Sequence, residues 1–391
     1  MNQFDCVVVG GGMVGAASAL SLAELGLTVA IIEKSNPAVF SPEQTFDLRV
    51  SAISLASEQL LKQLDVWPQL QSWRMCPYKR LGVWEQERSY TEFNAQDINQ
   101  THLGHIVENR LIQLSLWQKM HQHNNITIFC PDTLIKLEQN SADVELTLSS
   151  KVLRAKVVIG ADGANSNVRK LVHIGTTGWD YAQSAMLINV QTEESQQDIT
   201  WQQFFKTGPL AMLPLPGNYA SLVWYHEKDE IKRLSTLSHA DLELEISTHF
   251  PKRLGKVTVI DKGAFPLTRR HANQYHKGRV LLLGDAAHTI NPMAGQGVNL
   301  GFKDVKALTH VIATAIGNGE SWQQADVLAR YQQKRRTDNL LMMTTMDALY
   351  LSFGHVSPLA KLARNAGLMM VNKLPNLKNK ALAYACGINS D

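Results

Sequence analysis

The chain has 391 residues, a formal net charge of +3 and 45% hydrophobic residues. That length supports a large core in two domains or one elaborated domain, and so small a charge gives no case for nucleic acid. Cys6, Cys76, Cys130 and Cys386 form no C-x-x-C pair, which argues against a zinc or disulfide framework and fits a reducing cytoplasm; no metal is expected.

The chain enters a strand at once, Phe4 to Val9, without a basic and apolar signal segment. Gly10, Gly12 and Gly15 follow as G-x-G-x-x-G, and a helical pattern continues through Ala17, Leu20, Leu22 and Leu25. A second strand, Thr28 to Ile32, ends at Glu33. Such glycines permit a tight turn, close approach to a pyrophosphate and close helix–strand packing, while the acid suits a ribose hydroxyl. Residues 76–100 read as a small insertion of strands. A third strand runs into Asp162-Gly163, followed by Ser166 and Arg169; alone this is a common turn. Pro209 to Pro216, the turn Gly217-Asn218 and Tyr219 to Tyr225 read as an antiparallel hairpin.

The apolar run Val280 to Leu283 then ends at Gly284-Asp285, and Gly295-Gln296-Gly297 opens a helical pattern through Val298, Leu300 and Val305. A glycine loop at a helix start exposes N–H groups and the positive end of the helix dipole. It can hold a phosphate or stabilise negative charge on a reduced flavin ring. From Ala348 to Ser390 there is no Asp or Glu, but Lys361, Arg364, Lys373, Lys378 and Lys380 remain. Leu359, Leu362, Ala363, Ala366, Met369 and Met370 suit one helix face. This tail either packs on the body or lies on an anionic membrane. No apolar run reaches the length that spans a bilayer.

Taken together, the three glycine and acid motifs resemble the flavoprotein aromatic hydroxylases of the para-hydroxybenzoate hydroxylase type, over almost the whole chain. Arg49 to Ser54, Val107 to Asn109 and His288 to Gly301 are similar to the ubiquinone-biosynthesis hydroxylases of that family. Thr200 to Phe204, Ala220 to Tyr225 and Gly263 to Ala272 narrow the likeness to members acting on 2-octaprenyl-3-methyl-6-methoxy-1,4-benzoquinol. The resemblance implies an α/β fold. A Rossmann-like FAD-binding domain (1–75, 101–175, 271–345) would interleave with a mostly antiparallel α+β substrate domain (76–100, 176–270) and end in a helical segment, 346–391.

It also implies FAD as cofactor, NAD(P)H as reductant and O2 as co-substrate. Hydroxylation of a prenylated quinol would proceed through a flavin C4a-hydroperoxide, with other ubiquinone-biosynthesis proteins as possible partners. The absence of a second G-x-G-x-x-G after a strand argues against a separate nicotinamide domain. Gly10, Gly12, Gly15, Glu33, Arg49, Asn109, Arg110, Asp162, Gly284, Asp285, Gly297, Val298 and Asn299 are the expected cofactor contacts. Pro292, Gly295, Gln296 and Gly297 form the expected wall beside the flavin ring. Trp224 and Tyr225 are candidate substrate-lining residues on one strand, where alternation sends one to the core and the other to the site. His288 reads as a structural loop histidine, and no acid–base residue is assigned. A sister hydroxylase acting at another ring position, or a non-catalytic FAD-binding subunit, stays open. A di-iron site would need Glu-x-x-His pairs; Glu245 and His249 are one residue too far apart. A hydrolase would need G-x-S-x-G, which does not occur.

Overall fold

The computed structural model describes residues 2–290, 297–354 and 358–388. Among them, strands form three sheets. The first places His276–Lys277, Val280–Leu282, Val152–Gly160, Asn2–Val9, Val29–Ile32 and Ile126–Phe129 side by side. From Val280–Leu282 to Ile126–Phe129 every pairing is parallel. These strands are apolar on both faces, as a sheet covered on both sides requires, and Cys6, Val7, Val8, Val29, Ala30 and Ile31 are wholly buried. Cys6 serves as a small core residue.

The second sheet runs His288–Thr289, Val257–Ala272, Thr176–Thr192, Tyr219–Glu227, Gly208–Leu215, Ile199–Phe205, Arg80–Trp84 and Thr91–Asn94. All its pairings are antiparallel except that of Ile199–Phe205 with Arg80–Trp84. Its outer face, with Trp84, Met186, Trp201, Met212, Leu222 and Trp224, packs beneath helices Lys228–Thr236 and His239–His249. Its inner face carries Ala185, Phe204, Tyr225 and Leu267, against Met346 and Phe353 of helix Ala325–Gly354. Phe204 and Phe353 stack at 4.0 Å between centroids. A third sheet joins Val50–Ser54, Gly104–Glu108 and Cys76–Tyr78. Through it the inner face meets the first domain, with Leu213 and Tyr219 packed beside Val50, Ala52 and Ile106.

Helix Ala325–Gly354 is continuous, so the C-terminal segment expected to open at 346 begins inside it. An unbroken helical pattern has no cap or breaker at that point. Helices Pro358–Lys373 and Pro375–Cys386 follow. The tail docks on the body through ion pairs as well as apolar contacts. Arg364 meets Glu85 at 2.7 Å, and Lys378 meets Asp97 at 3.5 Å.

Candidate active site

The first glycine motif turns at the carboxyl end of Asn2–Val9, where a parallel sheet offers its crevice. Gly10 has φ +103°, and a Cβ there would lie 2.4 Å from the Ala161 carbonyl oxygen. At Gly15 a Cβ would come within 1.9 Å of the Gly10 oxygen, which is the close helix–strand contact in physical form. Gly12 differs: nothing lies within 4 Å of a Cβ built on it. Helix Met13–Glu24 starts there without a side-chain cap, so its first N–H groups have no side-chain acceptor at the cap. Glu33 stands beside the loop, its Oε2 accepting from Gly11 N at 2.6 Å. Trp117 and Gln113 donate to the Gly11 carbonyl at 2.7 and 2.8 Å and fix the turn.

Asp162 enters from the neighbouring strand. Its Oδ2 accepts from the Asn167 and Val168 amides, at 2.7 and 3.0 Å. Its Oδ1 is buried with no hydrogen-bond partner. The open space at Gly12 and this unpartnered oxygen fit a bound dinucleotide.

The third motif interlocks with the first. Val14 fills the room that side chains at Gly284 and Gly301 would need: a Cβ would approach it to 3.2 Å and 2.5 Å respectively. Gly284 has φ +57° and its N–H donates to Asp304 Oδ2 at 3.0 Å. Asp285 is solvent-accessible but closely ringed by protein. Burial raises its carboxyl above the usual range, against the opposing pull of His288 and Arg49. Arg49 is exposed, on a loop that Asn189 of the second sheet clamps by donating to the Phe46 and Asp47 carbonyls at 2.9 and 3.2 Å. Gly297 opens helix Gly297–Gly317 with nothing within 4 Å of a built Cβ. The N–H groups of Gly297 and Val298, in the first turn, have no partner within their own helix. Pro292, Gly295 and Gln296 lie outside the described residues.

Three expected side-chain contacts have other work. Asn299 is 2% exposed; it accepts from Ser54 N and Ser57 Oγ and donates to the Ala52 carbonyl. Its side chain clamps two elements. Arg110 donates to Asp47 and to the carbonyls of Ala38 and Val39. Asn109 accepts from Ser51 Oγ at 2.7 Å. Both hold the loop that carries Arg49. Trp224 is corrected more sharply. It packs on the outer face, 5.2 Å from Phe250 between ring centroids, whereas Tyr225 takes the inner face.

Sequence reading missed the buried polar network behind the flavin motif. Asp304 receives Arg335 Nε at 2.8 Å and Asn339 Nδ2 at 3.1 Å on Oδ1. His288 Nε2 lies 2.5 Å from its other oxygen. Burial pushes the Asp304 carboxyl up, but His288 and Arg335 win and hold it at about 2. Asn339 also donates to Tyr275 Oη, which contacts His271 Nε2 at 3.1 Å. A signal was present: Asp304 is a lone acid among Leu300, Phe302, Val305 and Leu308, all buried on one helix.

The described geometry is a dinucleotide cradle beneath an antiparallel sheet, and comparison with known proteins gives the same class. Residues 3–343 match the family model described as FAD binding domain, and the chain belongs to this family of FAD-dependent monooxygenases. It is 49% identical to the 3-demethoxyubiquinol 3-hydroxylase of Escherichia coli (strain K12), covering 98% of each chain. It is 34% identical to the ubiquinone hydroxylase UbiL of Rhodospirillum rubrum, over 98% of this chain and 89% of that one. The fold matches the crystal structure of p-nitrophenol 4-monooxygenase from Pseudomonas putida, with TM-score 0.77 and 20% identity over 98% and 97% of the two chains.

Proposed function

We propose that the protein hydroxylates the ring of a prenylated benzoquinol in ubiquinone biosynthesis, with 2-octaprenyl-3-methyl-6-methoxy-1,4-benzoquinol as the favoured substrate. One observation carries the reading. Likeness to the Escherichia coli enzyme extends over 98% of both chains, so the flavin cradle and the sheet above it are matched together. Bound FAD supplies the redox chemistry that takes electrons from NAD(P)H and transfers one oxygen atom from O2.

The chain's own residues bind and orient. The amides at Gly12 and the start of Met13–Glu24 suit the pyrophosphate, and Glu33 suits the ribose. The amides of Gly297 and Val298 suit negative charge on the ring system. Arg49 and Asp285 flank the same place. Val223 and Phe265, partly buried on the inner face of the sheet, would give the ring an uncharged wall that limits water. A neutral ring with an isoprenoid tail suits such a wall.

The test uses FAD-loaded protein, NADH or NADPH, and a set of prenylated quinols, with products identified by mass under labelled dioxygen. One labelled oxygen in the product of the 6-methoxy quinol supports the reading. Label from water overturns the oxygen transfer, and turnover only of quinols open at another ring position overturns the regiochemistry.

The tail adds peripheral membrane contact to this reading. Leu362, Ala366, Met369 and Met370 fall at one face of helix Pro358–Lys373 and are exposed. Among the described residues no helix is long and apolar enough to cross a membrane, so contact would be at the surface.

A further inference from the structure

We infer that Glu58, His102 and His105 form a binding site for a divalent transition metal of the zinc class, separate from the flavin cradle. Glu58 lies on helix Leu55–Gln63 and His105 on strand Gly104–Glu108, with His102 in the approach to that strand. Both Glu58 and His105 are buried, 4% and 8% exposed. The side chain of His102 is 20% exposed, which leaves one route to solvent.

Two ring nitrogens converge on a single carboxylate oxygen. Glu58 Oε2 lies 2.7 Å from His102 Nε2 and 3.2 Å from His105 Nδ1. One ligand atom from each residue falls within 4.8 Å of the others. His105 Nδ1 is buried and meets the carboxylate at ion-pair distance without good hydrogen-bond geometry. A cation between the three groups would use its lone pair. Zinc takes nitrogen and oxygen ligands at about 2.0–2.2 Å, so tetrahedral ligand atoms stand about 3.3 Å apart. The two nitrogens already lie 2.7 and 3.2 Å from the carboxylate oxygen, near that spacing, and His102, the most exposed member, has room to adjust.

The surroundings support the donor set. Thr101 Oγ1 lies 2.8 Å from His102 Nδ1, the kind of contact that orients a metal-bound imidazole through its other nitrogen. Trp67 packs edge-on against His105 with centroids 5.0 Å apart and limits its rotation. Lys62 Nζ lies 2.6 Å from Glu58 Oε1, leaving Oε2 for the metal. Its charge opposes a nearby cation, and its 54% side-chain exposure weakens that opposition. Two histidines and a carboxylate leave a fourth position for water.

A metal here would brace the turn into Leu55–Gln63. Ser54 and Ser57 at that turn hold Asn299, at 3.0 and 2.7 Å, on the helix that opens at the flavin motif. Occupancy should therefore stiffen the protein without taking part in oxygen transfer.

The experiment takes FAD-loaded protein, strips it with chelator, and titrates it with cobalt(II) and then zinc(II). Wild type should bind close to one equivalent of cobalt, develop visible bands of nitrogen and oxygen coordination, and lose them to zinc. Its thermal midpoint should rise with either ion. His102→Asn should weaken binding at least about tenfold, and Lys62→Gln should tighten it severalfold. Flavin absorbance verifies that each variant is folded, and His102→Asn, at the exposed position, is decisive if His105→Asn misfolds. Absence of saturable binding by wild type, or undiminished binding by folded His102→Asn, overturns the site.

Discussion

His288 Nε2 and Asp304 Oδ2 meet 2.5 Å apart in the interior, with side chains 1% and 0% exposed. Asp304 also takes the Gly284 amide, Arg335 and Asn339. The carboxylate thus ties the end of strand Val280–Leu282 to the two long helices that follow. Removing one partner from a buried ion pair costs about 3–5 kcal/mol, because the other charge stays behind. Asp304→Asn should lower stability by that order in chemical denaturation. It should also lower FAD content, since one amide oxygen cannot accept from the Gly284 N–H and from Arg335 and Asn339 together. A variant with full FAD content would show that the turn at Gly284 stands without Asp304.

The histidine at the end of this network predicts a pH dependence. Burial, helped by Arg336, His288 and Arg269, lowers His271 from 6.5 to about 4. The folded protein keeps His271 neutral where the unfolded chain would bind a proton. Its contribution is therefore complete above about 6.5 and is lost as pH falls toward 4. A shift of that size corresponds to about 3 kcal/mol. His271→Gln should flatten the fall in thermal midpoint across this window. An unchanged slope would place the acid sensitivity in other groups.

Gly12 and Gly15 separate binding from folding. Gly12→Val points into open space and should leave the thermal midpoint of the FAD-free protein nearly unchanged, while FAD content collapses. Gly15→Val drives atoms into the Gly10 carbonyl, 1.9 Å from the first added carbon. It should destabilise the protein itself by several kcal/mol, as overpacking does. Equal effects of the two substitutions on both readouts would contradict the geometry.

The parts legible beforehand were those where the backbone demands a residue type. Gly10 and Gly284 need positive φ, Gly15 and Gly301 need an absent side chain, and a strand–helix–strand pattern around Glu33 needs only local sequence. The alternation at Trp224 and Tyr225 could be read, but not which of them faced inward. That depends on where helices Lys228–Thr236 and His239–His249 pack, a long-range choice. The protein partners of Arg110 and Asn299 were hidden for the same reason: Asp47 and Ser54 are distant in the chain. Glu58, His102 and His105 likewise meet only because the third sheet pairs Val50–Ser54 with Gly104–Glu108.

Trp224 and Tyr225 should then differ in kind. Trp224→Ala opens a cavity under the outer helices and should cost about 3–5 kcal/mol, while leaving flavin reduction by NAD(P)H unchanged in the protein that remains folded. Tyr225→Phe conserves the packing against Phe204 and Leu267 and should cost under about 1.5 kcal/mol. A change of quinol preference in Trp224→Ala, with none in Tyr225→Phe, would reverse the assignment of the two faces.

The tail gives a prediction whose sign depends on which force acts. Its composition suggested attraction between lysines and anionic lipid, worth about 1 kcal/mol for each free cation. Arg364 and Lys378 are already paired with Glu85 and Asp97, and their charges are largely spent on the body. Lys361 and Lys380 remain exposed. The apolar contribution is larger: Leu362 and Met370 are 59% and 61% exposed, and Met369 is 43% exposed. Burying such side chains yields about 1.5–3 kcal/mol each. Leu362→Ser with Met370→Ser should therefore reduce co-sedimentation with vesicles of mixed neutral and anionic lipid far more than Lys361→Glu with Lys380→Glu. Binding should depend only weakly on salt. FAD content should stay at the wild-type level in both variants, because neither pair touches the flavin domain's glycine motifs. Steep salt dependence, with loss only in the lysine variant, would return the contact to electrostatics. Failure of wild type to sediment with either lipid would remove membrane contact from the account of the tail.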